Sequence, residues 1–469
     1  MKVLLINPPI DNMITTNIPT YVDEERGYSP PLGIMYVASY AEKHTDYKIE
    51  ILDMLAEEVR CDRLKNEIKK RKPDIVGITT TTFTLIDVML TAKAIKDVDN
   101  NIKVILGGPH VNIYPEESIR RPEVDFLVFG EGEIAFTELI QNIESYKALR
   151  KIKGIVFKHN GKVINTGQRD LIENLDILPF PARHLTKVNR YNSLLAKRAP
   201  VTTMMTSRGC PYKCLFCDRP HLGKRFRARS AKNVVDEMEE CVNMGIHEFL
   251  LYDDTSTIDR QRVIDICDLI IERSLDVGWD IRARVNTVDM EMLRALKRAG
   301  CERIHYGVES ANPRILKILR KGITLRQVEK AFKMTKEVGI DILAYFMIGS
   351  PTETREEIIN TIEYAKRLQP DYVHFSITTP FPATPLYHMG LEQGVFEDYW
   401  RNFAVNPTQD FVPEIWDENF DREELIELLE YAYKSFYIRP SYIIKGLLKV
   451  RSFDEFKRKA KAGLRLLQH

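Results

Sequence analysis

No uninterrupted apolar stretch in this sequence approaches the about 18 residues that a membrane-spanning helix needs, so any membrane contact is expected to be peripheral. Net charge is equally scarce. Against 68 Lys and Arg stand 67 Asp and Glu, a formal balance of +1, which supplies no global field for nucleic acid. Seven cysteines are few for 469 residues, and the opening MKVLLINPP lacks a charged-then-apolar leader with a small-residue cleavage site. That argues against a secreted disulfide framework and for the reducing cytoplasm as the expected compartment. Repeats and low-complexity segments are also missing. What remains is 44% hydrophobic composition, enough for two cores and a tail.

Over residues 1–145, short β-branched runs (KVLLIN, IEILD, DIVGIT, KVILGG, FLVFGE) alternate with amphipathic stretches, the pattern of an α/β doubly wound parallel sheet. Residues 146–195 read as a hairpin turning at Asn160-Gly161, then a surface linker around Pro179 and Pro181. A second βα series over residues 196–415 has six strand-like runs, from VTTMMTS to DYVHFSI, and suggests a partial (β/α)6 barrel. Residues 416–469 read as a helical C-terminal region.

Directly after the first barrel strand, the segment Ser207-Arg208-Gly209-Cys210-Pro211-Tyr212-Lys213-Cys214-Leu215-Phe216-Cys217 places three thiols in eight residues. Thiolates suit zinc and iron–sulfur clusters, and structural zinc normally closes a shell of four ligands. Three cysteines leave one iron of a cluster open. A zinc knuckle completed by His221 or Cys241 is the competing reading. Cys61, Cys241, Cys267 and Cys301 fall in helical patterns or at a helix end and read as ordinary buried thiols.

The Cys-x3-Cys-x2-Cys spacing, with Phe216 before the third cysteine, resembles the signature of the radical S-adenosylmethionine (SAM) superfamily. The resemblance implies a [4Fe-4S] cluster on Cys210, Cys214 and Cys217 that cleaves SAM reductively, fed by an electron donor such as flavodoxin or ferredoxin. It further implies SAM contacts from Phe216, from Asp253 and Asp254 after the second strand, and from Arg284 and Asn286 after the third. Glu309 and Ser310 after the fourth strand and Gly349 after the fifth complete the set. The plainer alternative makes Asp253, Asp254 and Glu309 helix caps. Arg314 and Lys321 read as part of a solvated helix face.

A doubly wound domain ahead of such a barrel resembles the cobalamin-binding class of radical SAM proteins. The loops that match in kind carry Asn7, Thr80 and Thr81, Gly107 and Gly108 with His110, and Gly130, Glu131 and Gly132; the resemblance makes them cobalamin contacts. The domain lacks an Asp-x-His-x-x-Gly segment, so no motif supplies a histidine beneath cobalt. A vestigial domain without cofactor is the alternative.

The resemblance implies a cobalamin-dependent methyltransferase acting on an unactivated carbon. Within the same superfamily the alternative is cyclisation or oxidative C–H functionalisation without methyl transfer; from another class, a non-catalytic cobalamin or redox sensor. The substrate is expected to be a small molecule or lipid-like. The aromatic stretch Phe375 to Tyr387 with Tyr399-Trp400 is either an apolar channel or core. The basic segment with Lys457, Arg458, Lys459 and Lys461 is either a lipid-facing helix or a solvated one.

Overall fold

A computed structural model describes residues 1–15, 27–218, 223–416 and 418–448. The basic segment around Lys457 and the zinc candidate His221 lie outside the described residues.

The N-terminal part contains β1 (Lys2–Asn7), β2 (Gly27–Tyr28), β3 (Lys48–Asp53), β4 (Ile75–Thr79), β5 (Lys103–Gly107), β6 (Phe126–Val128), β7 (Ile155–His159) and β8 (Lys162–Asn165). Apart from β2, they form one sheet in the order β3-β1-β4-β5-β6-β7-β8. The first five are parallel and the β7–β8 hairpin adds antiparallel. Both faces are covered, which is why the strands are nearly continuous apolar runs. Val3, Leu5, Ile49, Ile51 and Ile75 pack into one core, and Leu4, Ile6, Leu52, Val76 and Ile78 into the other. Asn160 and Gly161 turn the hairpin with φ of 49° and 74°, the left-handed pair a two-residue turn requires. The hairpin therefore extends the first sheet, and the linker begins only after it. From β1 the chain goes to β3 on one side and then to β4 on the other, which opens a crevice at their carboxyl ends.

After β9 (Asn192–Ser193), which pairs with β2, come β10 (Val201–Met204), the two-residue pair β11 (Ser207–Arg208) and β12 (Arg227–Ala228), then β13 (Glu248–Leu251), β14 (Gly278–Ala283), β15 (Cys301–Glu309), β16 (Asp341–Ile348) and β17 (Tyr372–Ile377). Strands β10 and β13 to β17 run parallel in chain order as an open six-stranded barrel wall. Its outer face, including Ile304, Tyr306, Ile342, Phe346 and Phe375, packs on the helices in the largest core. The tail contributes the helices Arg422–Tyr437 and Pro440–Leu448. Among the described residues, no helix is long and apolar enough to cross a membrane.

The linker is anchored by charge. Arg183 donates to Glu237 at 2.5 Å, to Thr202 Oγ1 at 3.0 Å and to the Thr203 carbonyl, and Arg229 pairs with the same glutamate. Arg183 and Glu237 are 2% and 0% exposed, so neither charge has water to fall back on. Replacing Glu237 with Ala should therefore destabilise the fold by about 3–5 kcal/mol in denaturant titration. Glu237→Gln, which keeps one acceptor, should lose less; equal stability of E237A and wild type would refute the pairing.

Candidate active site

The three-cysteine loop is held by residues that lie far away in sequence. Asp253, fully buried beyond β13, accepts from Thr206 N at 2.6 Å, Thr206 Oγ1 at 2.5 Å, Ser207 N at 3.1 Å and Ser207 Oγ at 2.8 Å. Arg262 donates to the Thr206 carbonyl at 2.7 Å. Next along the chain, Arg208 reaches into the N-terminal domain, donating to Glu131 at 2.7 Å and Glu133 at 2.5 Å, with Arg227 donating to Glu131 at 2.9 Å. Burial alone would raise the Glu131 carboxyl, but the Arg227 and Arg208 guanidiniums hold it below its usual range. At the far end of the loop, Leu215 N donates to the Leu319 carbonyl and Leu386 N to the Leu215 carbonyl, each at 2.9 Å.

Within this frame Cys210, Cys214 and Cys217 are not joined in disulfides, Cys214 buried and the other two half-buried. Arg284 Nη1 lies 3.6 Å from Cys214 Sγ, and its guanidinium stacks 3.8 Å from the Tyr212 ring centroid. Lys321 sits 5.7 Å from the Phe216 ring centroid and donates to Glu309 at 2.6 Å. The expectation that Lys321 belongs to a solvated face is thus corrected: it is 8% exposed and committed to a buried carboxylate. Arg314 does sit on the surface, paired with Glu357 at 2.6 Å. Among the described residues no three His, Cys, Asp or Glu side chains gather as a preformed metal cage. The fit to a cluster rests on the donor chemistry: three thiols on one anchored loop, with the Arg284 guanidinium beside Cys214.

The barrel residues expected around SAM divide in two. Phe216, Arg284 and Glu309 converge on the cysteine loop, with Asn286 beside Arg284 at 3.4 Å. Asp253 is turned instead to the loop backbone, Asp254 is exposed, and Ser310 Oγ accepts from Asn312 N at 3.2 Å at the start of the next helix. Neither Asp253 nor Glu309 caps a helix, because Asp259 and Asn312 hold those N-cap positions. Gly349 has φ 73°, and a Cβ there would stand 2.8 Å from Leu425. Sequence reasoning missed Glu353 in the same turn. Its Oε2 accepts from Ser350 N at 2.9 Å, its Oε1 is buried without a hydrogen-bond partner, and burial pushes the carboxyl up to about 7. The signal available was an acid four residues after a glycine that ends a strand.

In the N-terminal crevice, Thr80 N donates to the Gly107 carbonyl at 2.7 Å and His110 N to the Thr80 carbonyl at 3.2 Å. Gly108, at φ 108°, leaves no room for a side chain, since a Cβ would lie 2.8 Å from Thr80 O. Gly130, at φ 77°, faces open space, whereas at Gly132 a Cβ would meet Val37 at 3.5 Å. Such closely knit, side-chain-free loops suit the approach of a broad flat ligand. Thr81 caps the turn that follows, and Asn7 donates to Asp53 at 2.8 Å, which also accepts from Tyr191 OH at 2.9 Å. Glu131 is committed to the arginines and His110 is buried on Thr82 Oγ1 at 3.0 Å. Burial, with Arg121 adding to it, lowers the His110 imidazole to about 3, so the ring is neutral.

The aromatic stretch is core. Tyr387, Trp400 and Phe403 pack with Leu85 and Tyr114 of the N-terminal domain, and Trp400 Nε1 donates to the Pro380 carbonyl at 2.9 Å. Cys241 and Cys267 are packed in the barrel's outer core, their thiols pushed up to about 12 by burial, and burial raises the Cys301 thiol as well; Cys241 is thus a core residue with no contact to the cysteine loop among the hydrogen bonds of the described residues.

A parallel open barrel with three thiols on its first loop, facing the crevice of a doubly wound domain, defines a radical SAM enzyme. Residues 204–365 match the Radical SAM superfamily and residues 19–140 the B12 binding domain. The chain is 39% identical to an uncharacterised methyltransferase of Pyrococcus horikoshii over 97% of its own length and 96% of that protein. It is 28% identical to the anaerobic magnesium-protoporphyrin IX monomethyl ester cyclase of Rubrivivax gelatinosus, over 94% and 78%. The fold matches the cobalamin-dependent radical enzyme OxsB with aqua-cobalamin and SAM bound, with a TM-score of 0.75 at 18% identity, over 100% and 71% of the two chains. The chain belongs to the cobalamin-binding radical SAM family, whose cofactors are a [4Fe-4S] cluster, SAM and cobalamin.

Two outcomes are expected. Asp253→Ala removes four hydrogen bonds from the loop and should lower iron bound per chain after anaerobic reconstitution while far-ultraviolet circular dichroism stays native; full iron content would count against the anchoring role. The raised Glu353 carboxyl keeps its proton in the folded state, so its contribution is complete below the unfolded value of about 4.5 and is lost as pH rises through about 7. Glu353→Gln should flatten the fall in melting temperature between about pH 5 and pH 8. An unchanged slope would mean that the carboxyl titrates normally.

Proposed function

We propose that this chain is a cobalamin-dependent radical SAM methyltransferase acting on an unactivated carbon, with Cys210, Cys214 and Cys217 as the cluster ligands. The observation that carries the proposal is the arginine clasp. Arg208, two residues before Cys210, is paired with Glu131 and Glu133 of the B12 binding domain, which ties the cysteine loop to that domain. When bound, the cluster supplies the electron that splits SAM, and cobalamin supplies the methyl group.

The protein's part is placement and exclusion of water. Arg284 offers positive charge beside Cys214, suited to thiolate and to a carboxylate of SAM. Glu309 offers a carboxylate for an amine or ribose hydroxyls, and the Gly349 turn offers backbone for adenine. Thr80, Gly107, Gly108 and Gly130 form the cradle for the corrin, with Asn7 and Thr81 at its edges. A cleft of about 620 Å³ beside Cys217 has Lys224, Arg320 and His388 outnumbering Glu392 in its lining, which suits a small acidic electron donor of the flavodoxin or ferredoxin kind. The full-length similarity to a methyltransferase supports methyl transfer over the cyclase alternative.

The test is anaerobic reconstitution with iron, sulfide and cobalamin, then incubation with SAM, a reductant and candidate substrates. Methyl transfer should yield both 5′-deoxyadenosine and S-adenosylhomocysteine, whereas a cyclase-type reaction would give only the first. Cys214→Ala should abolish the cluster absorbance and SAM cleavage while cobalamin still binds. Retention of either would sink its assignment as a ligand.

A further inference from the structure

The inner face of the barrel wall is polar. Along β15, Arg303, His305, Gly307 and Glu309 alternate with the core residues Ile304, Tyr306 and Val308. Neighbouring strands continue the face: Arg282 is the register partner of His305, and Tyr345 that of His374. His305 Nδ1 lies 3.0 Å from Tyr345 OH, and its Nε2 lies 3.2 Å from Asp280 Oδ2. The rings of Tyr345 and His374 are 5.5 Å apart. A closed βα barrel fills this space with branched apolar side chains. Here Arg282, His305, Tyr345 and His374 are instead half-buried, as befits a lumen kept open for a ligand.

The charges on this face are unevenly committed. Asp280 is engaged by Arg303 at 3.5 Å and by His305, and Glu309 by Lys321. Arg282 enters no ion pair among the described residues; it stacks 4.4 Å from the Tyr252 ring centroid and makes one long bond, 3.5 Å, to the Leu251 carbonyl. Tyr252 OH in turn meets Ser29 Oγ of the N-terminal domain at 3.1 Å. Arg282 also lies two residues, about 7 Å along a strand, before the Arg284 that touches Cys214. The wall therefore runs from beneath the cysteine loop towards the B12 binding domain.

We infer that this lumen takes an anionic substrate, a molecule bearing a carboxylate or phosphate, held by Arg282 and His374, with His305 and Tyr345 bonded to one another and to Asp280 behind them. The inference rests on the enzymatic reading above and narrows its substrate class. A neutral lipid would strand the partly desolvated Arg282 guanidinium and His374 against hydrocarbon, whereas an anionic oxygen meets a cation that no carboxylate among the described residues engages. The aromatic residues that would have favoured an apolar channel are occupied in the interdomain core.

The experiment is an anaerobic thermal melt of the fully reconstituted chain with millimolar inorganic pyrophosphate, citrate, or squalene in dodecyl maltoside. Pyrophosphate or citrate should raise the midpoint by about 3 °C or more, and Arg282→Gln and His374→Gln should each remove most of that rise. Stabilisation by squalene alone, by none of the probes, or by the anions equally in both variants would overturn the inference. Cluster and cobalamin absorbance read on the same samples separates those results from a failure to load the cofactors. Loss of that absorbance in a variant passes the test to the other variant.

Discussion

A buried guanidinium determines how this molecule is put together. Arg208 is 6% exposed, and an unpaired cation at that depth would cost several kcal/mol, so it must be met by carboxylates. Both carboxylates, Glu131 and Glu133, come from the other domain, and Glu131 also holds Arg227 and the Ile172 amide. Pulling the domains apart would strand two arginines and two glutamates at once. The cysteine loop begins two residues after Arg208, so its position is set by the B12 binding domain as much as by its own barrel. Tyr36 adds to the same joint, its ring centroid 5.3 Å from the Arg208 guanidinium.

A second joint between the two domains is apolar. Trp400, Phe403 and Tyr387 fill the space against Leu85 and Tyr114, and Arg121 donates to the Ala404 and Val405 carbonyls at 2.9 and 2.8 Å. The two joints differ in what they specify. Aromatic packing tolerates small slips, while a forked guanidinium on two carboxylates tolerates none. The apolar joint contributes adhesion and the ionic joint contributes register, and the cysteine loop is tied to both, through Arg208 at its start and through the Leu215–Leu386 hydrogen bond at its end.

How much of this was legible in the sequence follows from the range of each interaction. Strands such as Lys2–Asn7 and the turn at Asn160-Gly161 announce themselves because their causes, burial on two faces and positive φ, are local. The cysteine spacing is local too, and its three thiols fall on one loop after the first barrel strand. Glu131 looked like part of a glycine-rich cofactor loop because nothing within its own loop reveals Arg208, 77 residues away. Asp253 looked like a ligand contact for the same reason, its partners being 46 and 47 residues distant. Lys321 was placed on a solvated face because a helical window cannot show the strand end across from it. The polar inner face of β15 went unread although its signal is local, since Arg303, His305, Gly307 and Glu309 alternate with Ile304, Tyr306 and Val308.

The upper end of that alternation contains a departure from regular pairing, the wall's other shift lying between Trp279 and Asp280 at the opposite end of the face. The pairing of β15 with β16 shifts between Gly307 and Glu309, and Glu309 has φ 70°, a conformation that L residues adopt at a cost of about 1 kcal/mol or more. Such a bulge re-aims the residue after it, and here it delivers the Glu309 carboxylate to Lys321 beside Phe216. Gly307 makes room for this: a Cβ at that position would lie 2.4 Å from Glu309 Oε1 and 2.6 Å from Lys321 Nζ. Glycine, strained glutamate and buried lysine form one device, and each is inexplicable alone. A regular strand would be more stable here, but it would not turn the carboxylate in this way, so the strain is tied to the position of a single functional group next to the cysteine loop.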